Sequence, residues 1–460
     1  MKIKLFYTIF FLCISFIGST AQHVIINNII ISGNKVSRES VVLRELTFKK
    51  GDTLSVEQLE IKMEASRDNL LNTSLFNYVF VSDSTKENLS NIYVNVEERW
   101  YIWPVVDLVF EDRNISTWIR HPDWSRFSFG FGINIENVRG LNEKLKVSAR
   151  VGYQRGLNFS YSNIALDEAK RHLFGFGAGY NMVHTSSFKT ENNKPEYITL
   201  ENEPTRENYS GSISYLYRPH LHEFHLVNLA YDHSKISDTL LTLNPDYWND
   251  NNTRHNTITA SYTYASDYRD SRVYPLKGTL WSLAPTISSE INSGYVSGAL
   301  FSKVNTYLPL SRRWFYAGEL SAKMSVANKN TYVADRALGY GTDYLRGYED
   351  YVMDGQHFLL FKNTLRFMLI PTKTVEIKWL SALYKFNKIH FTVYANVFAD
   401  CGYSYNKNVS PTNNLQNVFL YSGGAGIDFV TYYDIVLRVD YSVNKMGNGG
   451  FYITLITPFF

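Results

Sequence analysis

Histidine is a common metal ligand, and three histidines of this chain lie close together, at His220, His222 and His225. On a β-strand, His220 and His222 would share a face, because alternate side chains point the same way. The three residues follow Arg218-Pro219, however, a pair that indicates a turn, and the neighbouring carboxylate is Glu223 alone. We therefore predict no metal site at this cluster.

Sequence motifs for nucleophilic or phosphate chemistry are the next features to consider. The sequence contains no G-x-S-x-G, H-E-x-x-H, P-loop or C-x-x-C motif, and its scattered Ser, His and Asp residues single out no catalytic set. The net charge of +3 is too weak to indicate electrostatic capture of nucleic acid. We expect no enzymatic activity, no cofactor and no nucleic-acid partner.

The first 21 residues have the pattern of a secretory signal peptide. Lys2 and Lys4 precede an apolar run from Leu5 to Gly18, and the small residues Ser19 and Ala21 fit a cleavage site. A membrane-spanning helix needs about 20 residues, so an uncleaved anchor is the less favoured alternative. We predict a signal peptide at residues 1–21, whose removal would leave Cys401 as the one cysteine.

Residues 22–99 are predicted to form one small domain of mixed helix and strand. A helix is indicated from about Ser37, with Val41, Val42 and Leu46 on one side. A second helix begins at Ser55, which can form a capping box with Gln58. The predicted order is strand, helix, helix, strand, strand, with strands at Val24–Ile31, Tyr78–Val81 and Ile92–Val96.

Residues 100–460 show a different pattern, the strict alternation of apolar and polar residues that is typical of β-strands. It is clear in Phe127–Glu136, Leu145–Gln154 and Ile258–Tyr264. The repeats run for about 9–11 residues, the length of a tilted strand in a membrane barrel. Aromatic residues make up 15% of the chain and cluster near strand ends, as in Trp100–Trp103, where an interfacial girdle is expected.

The pattern gives about 16 strands between Val105 and Phe460, an even number as bacterial barrels have. A sheet in lipid is expected to close, because unpaired edge amides are costly there. We predict a 16-stranded antiparallel transmembrane β-barrel, with its apolar face toward lipid. A soluble sandwich, with that face turned inward, is the alternative.

Two motifs and one segment of the small domain carry a family resemblance. Leu345-Arg346-Gly347-Tyr348 lies in a long segment between the eleventh and twelfth predicted strands, and Phe398-Ala399-Asp400-Cys401-Gly402 lies near the end of the thirteenth. Asn72–Phe76, leading into Val79–Val81, resembles a POTRA domain, a periplasmic module of outer-membrane assembly and transport proteins. Together these features resemble the BamA/TamA superfamily, which implies a barrel in the outer membrane with a POTRA-like domain in the periplasm.

The resemblance also implies an internal contact. In that superfamily the loop carrying the first motif folds back into the barrel, where its arginine meets the aspartate of the second motif; here these would be Arg346 and Asp400. Alternation agrees, because Val397 and Ala399 toward lipid would turn Phe398 and Asp400 to the lumen.

Other residues of the two motifs have expected roles as well. Gly347 would allow a tight turn, and Tyr348 would pack on the wall. Leu345 begins the motif. Gly402 belongs to the partner motif. Relatives often have an acidic residue in strand twelve where this chain has Thr364, so we expect a simpler charge cluster.

The C-terminal residues Phe459-Phe460 resemble the terminal aromatic signal by which barrels are recognised for insertion. Pro458 interrupts the alternation and suits an edge or seam strand. In this superfamily the first and last strands pair weakly, at a seam that is thought to open laterally.

The preferred function is an assembly factor that captures client polypeptides with the small domain and aids their insertion at the seam. Its partners would be outer-membrane or secreted polypeptides and outer-membrane lipids, with periplasmic chaperones or accessory lipoproteins as further candidates. An export pore of the two-partner type is the alternative, disfavoured because such pores usually carry two POTRA modules and a plug helix. A plain porin would have no reason to contain the Arg346 motif.

Overall fold

A computed structural model describes residues 23–110, 127–376, 388–431 and 435–456. The predicted signal peptide at residues 1–21, Pro458 and the terminal signal at Phe460 lie outside these ranges. The described chain forms a small α+β domain followed by a large antiparallel sheet. Within these ranges no helix is long and apolar enough to cross a bilayer.

The small domain has four strands and two helices. They are β1 (His23–Ser32), α1 (Glu39–Glu45), β2 (Thr53–Ser55), α2 (Val56–Asn72), β3 (Phe76–Lys86) and β4 (Leu89–Glu98). The four strands form one sheet in the order β2-β1-β4-β3, in which only β1 and β4 run parallel.

The prediction for the small domain missed β2. These three residues pair with His23–Ile25 after a turn at Gly51, whose φ of +90° suits glycine. The last of them, Ser55, forms the predicted capping box with Gln58 and starts α2. The helix signal was therefore read correctly, whereas a three-residue strand is too short to show a period.

The core of the small domain lies between the helices and the sheet. Val41 and Val42 of α1 are fully buried, as predicted from their spacing, and they meet Val24 and Ile26 of β1 in one apolar cluster. The predicted strands around Val81 and Ile92 extend further than expected, since β3 and β4 form a long hairpin that includes the polar segment between them.

Sixteen strands form the large sheet, and each is antiparallel to its neighbours. They are β5 (Ile102–Phe110), β6 (Phe127–Val138), β7 (Glu143–Gly152), β8 (Arg155–Ala165), β9 (His172–Val183), β12 (Arg206–Tyr217), β13 (Glu223–Ile236), β14 (Arg254–Asp267), β15 (Gly278–Glu290), β16 (Val296–Pro309), β17 (Trp314–Ala327), β20 (His357–Glu376), β21 (Lys388–Tyr405), β22 (Leu420–Thr431), β23 (Val436–Asn444) and β24 (Gly449–Ile456).

The connections lie at two ends. At the near end, where the small domain joins β5, the described connections are short turns; at the far end there are longer loops. The far-end loops contain two hairpins, β10 (Thr185–Glu191) with β11 (Lys194–Thr199) and β18 (Arg336–Leu338) with β19 (Met353–Asp354), and the helix α3 (Asp238–Leu243). The sixth far-end loop, residues 328–356, is called loop 6 below.

The apolar face of the large sheet points outward. Phe131, Ile213 and Ile287 are each at least 50% exposed, whereas the alternate positions turn to the inside. On that inner side, Gly175 and Gly179 of β9 lie against serine hydroxyls of β12. A soluble sandwich would bury the apolar face, so that alternative is wrong and the predicted barrel orientation is confirmed.

The sheet begins at β5 and ends at β24. Closure was expected, but within residues 102–110 and 449–456 no backbone ladder joins these two strands. The outer face of β24 is bare, with Phe451 73% and Ile453 67% exposed. The two end strands therefore form a seam rather than a regular pair over the described residues.

At the near end of the barrel lie the histidine cluster and the Trp100–Trp103 segment that the sequence analysis singled out. His225 projects from the outer face of β13, bonds the Tyr262 hydroxyl and packs on Tyr264, while His222 bonds the Asp267 carbonyl in a near-end turn. The expected girdle at Trp100–Trp103 needs a correction, because Tyr101 is buried against the small domain.

Candidate functional site

Loop 6 folds back into the barrel and places its motif against the inner wall. Leu345, Arg346 and Tyr348 are all buried. The base of the loop is held by the β18–β19 hairpin and by Lys323 of β17, whose ammonium donates to the Arg336 carbonyl. The loop thus enters the lumen as a braced structure.

Arg346 and Asp400 form a two-point ion pair at the centre of the site. The guanidinium donates from Nε to Asp400 Oδ2 and from Nη2 to Asp400 Oδ1, both at 2.7 Å. Arg346 and Asp400 are 7% and 2% exposed, so the pair is largely shielded from water. Parallel hydrogen bonds between a guanidinium and a carboxylate fix both distance and orientation.

The remaining faces of the Arg346 guanidinium are also occupied. Its Nη2 donates to Thr364 Oγ1 at 3.0 Å, and its Cζ lies 3.8 Å from the centre of the Phe398 ring. Thr364 stands where relatives often have an acidic residue, and it accepts a hydrogen bond without adding a second negative charge. Gly424 leaves room for Phe398, since a Cβ there would lie 2.5 Å from its ring.

Glycines at two other positions permit the close approach of the loop. Gly347 has a φ of +86°, which strains other residues, and its carbonyl accepts from Asn444 Nδ2 at 2.8 Å. At Gly402, a Cβ would lie 2.7 Å from Leu345 Cδ1. The glycine of each motif therefore has a steric reason to be there.

Tyr348 extends the attachment to further strands. Its hydroxyl donates to the Tyr421 carbonyl of β22 at 3.1 Å and accepts from the Lys445 amide just after β23. Asn444 and Gly424 were missed by sequence reasoning, because an amide and a glycine on a wall strand have no motif of their own. Loop 6 is fixed to four consecutive strands, β20 to β23.

A second charged cluster lies in the lumen nearer the small domain. Arg438 donates to Asp428 Oδ1 at 2.8 Å, and the Tyr274 hydroxyl donates to Asp428 Oδ2 at 2.7 Å. Arg366 stacks on the Tyr274 ring, with its Cζ 4.2 Å from the ring centre. Tyr274 belongs to the near-end turn between β14 and β15, so this turn folds inward as loop 6 does from the far end.

The small domain is docked on the near-end turns of the barrel. Glu45, at the end of α1, accepts from Arg218 Nη1 at 2.7 Å and Nη2 at 2.8 Å, in the turn between β12 and β13. Arg44 donates to the Lys170 carbonyl, and the Lys170 ammonium donates to Ser40 Oγ at 2.9 Å. Charged groups from the domain and from two turns therefore meet at one place.

Burial and charge set the ionisation of these groups. Burial alone would raise the pKa of Glu45, but the Arg218 and Arg44 guanidiniums outweigh it and hold that pKa below its ordinary value. Burial, followed by the charges of Arg44 and Arg38, lowers the pKa of Lys170 to about 8. Docking thus favours the anionic form of Glu45 and the neutral form of Lys170.

Other contacts spread the docked domain across the near end. Asn72 of α2 donates to the Arg269 and Asp270 carbonyls in the turn after β14. On another part of the rim, the Tyr78 ring lies 5.9 Å from the His390 ring of β21. The domain therefore contacts near-end segments from the first half and the second half of the sheet.

Comparison with known protein families decides what this arrangement is. The model of the Omp85 superfamily domain matches residues 137–455, more than half of the chain. The chain belongs to the Omp85 superfamily. The POTRA model, described as surface antigen variable number repeat, matches residues 24–99, so the prediction of a POTRA domain is confirmed.

Solved structures show the same fold in other Omp85-like proteins. BamA from Haemophilus ducreyi lacking POTRA domains 1-3 is similar with a TM-score of 0.52 at 16% identity, over 94% of this chain and 83% of that one. CdiB from Escherichia coli is similar with a TM-score of 0.53 at 11% identity, over 94% of this chain and 75% of that one. Among curated protein sequences, none matches this chain significantly.

Membership of the Omp85 superfamily fixes the orientation and the general role. The near end, with the POTRA domain, faces the periplasm, and the far-end loops are extracellular. The protein is a non-enzymatic outer-membrane β-barrel whose role is the insertion of polypeptides into the membrane or their translocation across it. Client polypeptides are therefore its partners.

Proposed function

We propose that this Omp85 protein is an outer-membrane insertase, which captures an unfolded client with its POTRA domain and inserts it at the barrel seam. The observation that carries the proposal is the state of the two end strands. Over the described residues no backbone ladder joins β5 and β24. On the outer face of β24, Phe451 is 73% and Ile453 67% exposed. A strand edge in lipid that belongs to no regular ladder can serve as a template for a client strand.

The POTRA domain supports the capture step. Its sheet ends at β3, which pairs with β4 on one side. Phe80 on this strand is 67% exposed. An extended segment can pair with such an edge through backbone hydrogen bonds, with little demand on its sequence. This mode of binding suits a factor that serves several clients.

The contacts inside the lumen favour the seam as the path of the client polypeptide. From the extracellular side it is filled by loop 6, held by the Arg346–Asp400 pair. From the periplasmic side the POTRA domain lies over the turns, and Tyr274 folds inward. An export route through the lumen would require both to move, whereas a route along the seam leaves the interior contacts intact.

A seam cross-link tests this proposal. In a Cys401→Ser background, Val106→Cys in β5 is combined in turn with Phe451→Cys, Ile453→Cys or Leu455→Cys in β24. The double variant that forms a disulfide on oxidation is then used. We expect oxidation to abolish insertion of a urea-unfolded barrel client into vesicles, measured by heat-modifiable gel mobility, and reductant to restore it.

A cross-link inside the regular sheet provides the control. Ile133 and Val147 are register partners of β6 and β7, and both side chains are outward-facing. Joining them should leave insertion unchanged. Undiminished insertion by the seam-locked protein would contradict the proposal, and continued passage of an extended polypeptide into those vesicles would favour the export pore.

A further inference from the structure

Three potential metal ligands, Asp250, His255 and Glu290, form a cluster at the extracellular rim of the barrel. The barrel fold does not require these side chains to be there. Asp250 lies in the loop before β14, His255 is the second residue of β14, and Glu290 ends β15. One ligand atom of each lies within 4.8 Å of the other two, so a single cation can reach all three. The His255 and Glu290 side chains are fully buried, and that of Asp250 is 4% exposed.

The imidazole of His255 is fixed so that a lone pair points into the cluster. Its Nε2 lies 2.8 Å from the Asn252 carbonyl, which can only accept, so Nε2 carries the proton. Nδ1 is then unprotonated in the neutral ring. Trp248 stacks on the ring with 4.4 Å between centres and 17° between planes, which holds its orientation.

The atoms that face each other across the cluster are both acceptors. His255 Nδ1 and Asp250 Oδ2 lie 3.5 Å apart, and neither has a hydrogen-bond partner in the described structure. Two buried acceptors without a donor between them are unfavourable, and something positive is needed there. A proton or a metal ion between them would satisfy both acceptors.

The distances and charges favour a metal ion. A charge-assisted hydrogen bond from a protonated His255 would bring nitrogen and oxygen to about 2.7–2.9 Å. Ligand atoms of a tetrahedral zinc ion, each about 2.1 Å from the metal, lie about 3.4 Å apart. This is close to the 3.5 Å between His255 Nδ1 and Asp250 Oδ2. Asp250 and Glu290 also carry two negative charges, which a dication neutralises and a single proton does not.

Glu290 has the supporting contacts that a metal ligand needs. Its Oε1 accepts from the Asn256 amide at 2.9 Å and its Oε2 from the Ser293 amide. These amides, with further hydrogen bonds from the Ser293 hydroxyl and the Asn292 amide, hold the carboxylate in place. One imidazole nitrogen and two carboxylates are ligands of Zn²⁺, with a fourth position left for water.

We propose that Asp250, His255 and Glu290 bind a Zn²⁺ ion that fixes the fourth extracellular loop, residues 237–253, to the barrel rim. That loop packs on loop 6: the Asp246 carbonyl accepts from the Tyr332 amide, and Asn249 donates to the Asn330 carbonyl, both at 3.0 Å. The ion therefore stiffens the extracellular cover of the lumen. The spacing of 250, 255 and 290 matches no motif, so sequence reasoning could not find the site.

Metal binding to the full-length protein in detergent tests the proposal. The protein is prepared without a histidine tag, treated with chelator and titrated with Zn²⁺ by calorimetry. We expect one equivalent to bind, and Kd to rise at least about 100-fold in His255→Ala and in the nearly isosteric Asp250→Asn. His222→Ala, in a periplasmic turn, is the matched control and should bind as the wild type does.

A second measurement needs no variant. Zn²⁺ should slow proteolysis within residues 237–253 of the wild-type protein, and chelator should reverse the effect. The proposal is overturned if wild-type protein binds no stoichiometric Zn²⁺, if His255→Ala binds it unchanged, or if Ca²⁺ binds and Zn²⁺ does not. Heat-modifiable mobility shows that each variant is a folded barrel.

Discussion

At the scale of single residues, Arg346 is the side chain on which the interior of the barrel depends most. Asp400, Thr364 and Phe398 surround its guanidinium on three sides. A buried charge that loses its partner is strongly unfavourable, whereas loss of both charges is tolerated better. The pair is thus a weak source of net stability and a strong source of a unique loop position.

Substitutions of Arg346 and Asp400 should differ in their effect on stability. Arg346→Ala should destabilise the barrel by about 3–5 kcal/mol, because Asp400 is left buried and unpaired. Arg346→Lys should recover only part of the loss, because an ammonium cannot make two parallel hydrogen bonds. The double variant Arg346→Ala/Asp400→Ala should be less destabilised than Arg346→Ala. The midpoint of heat-modifiable gel mobility measures each.

Thr342→Ala is the control, because Thr342 is an exposed residue of the same loop. It should melt as the wild-type protein does. Equal melting of Arg346→Ala and the wild type would show that the pair does not hold the loop.

A steric prediction concerns Gly402. Gly402→Val would place methyl groups where Leu345 lies, because even a Cβ there comes within 2.7 Å of Leu345 Cδ1. We expect loop 6 to leave the wall, and protease sites in residues 328–356 to become accessible on whole cells. Gly211→Val is the control, because a Cβ at Gly211 meets no atom within 4 Å.

At the scale of elements, the position of the POTRA domain depends on α1 and two periplasmic turns. Glu45→Gln removes the charge that pairs with Arg218, which leaves that guanidinium unpaired in a buried place. We expect a larger undocked population. Energy transfer between dyes on Glu87→Cys in the POTRA hairpin and Arg312→Cys in a barrel turn, in a Cys401→Ser background, reports it.

Glu64→Gln, on the exposed face of α2, is the matched control for that change. Its energy transfer should equal that of the unsubstituted pair. Unchanged transfer in Glu45→Gln as well would mean that the domain is held by its other contacts.

The same dye pair yields a pH prediction. Burial, with the Arg44 and Arg38 charges of the docked domain, holds the pKa of Lys170 at about 8, below its ordinary value of 10.5. The undocked state lacks these two charges and therefore binds more protons above about pH 8. Docking should therefore tighten as the pH rises from about 8 toward 10, and change little from this group at lower pH. Lys170→Met should remove the dependence; a slope of opposite sign in the wild type would contradict the assignment.

At the scale of the whole molecule, the outward apolar face determines which solvent each strand meets. Leu229, near the middle of β13, is 44% exposed on that face, and its neighbour Asn228 points to the lumen. Leu229→Arg should cost about 2–4 kcal/mol of unfolding free energy in vesicles. Asn228→Arg should cost far less. Equal costs would mean that the two faces do not meet different solvents.

The barrel could be predicted from sequence because its signal is repeated. Most strands share the same two-residue alternation, so exceptions such as β5 and β20 do not obscure it. The number of strands and the lipid-facing side could therefore be predicted. The short strand β2 was missed because Thr53–Ser55 cannot show a period. Tyr101 was placed in a girdle because an aromatic residue with a polar tip suits a lipid interface and a domain contact equally.

The loop 6 site, the docking contact and the rim cluster also differ in how far the sequence could predict them. The positions of Arg346 and Asp400 could be anticipated because their motifs resemble a family, and alternation put Asp400 on the inner wall. The docking contact joins Glu45, Lys170 and Arg218, and the rim cluster joins Asp250, His255 and Glu290. Such contacts come from residues that only the folded chain brings together, so no local pattern reports them.

The attachment of loop 6 to β20, β21, β22 and β23 has a consequence for the order of assembly. These contacts join residues of the C-terminal third of the chain, so their loop-closure cost is lower than that of contacts with the first strands. We expect the C-terminal strands to associate first as a partial sheet, with Arg346 already bound to its inner face. The N-terminal strands would then be added one at a time, and β5 would reach β24 last.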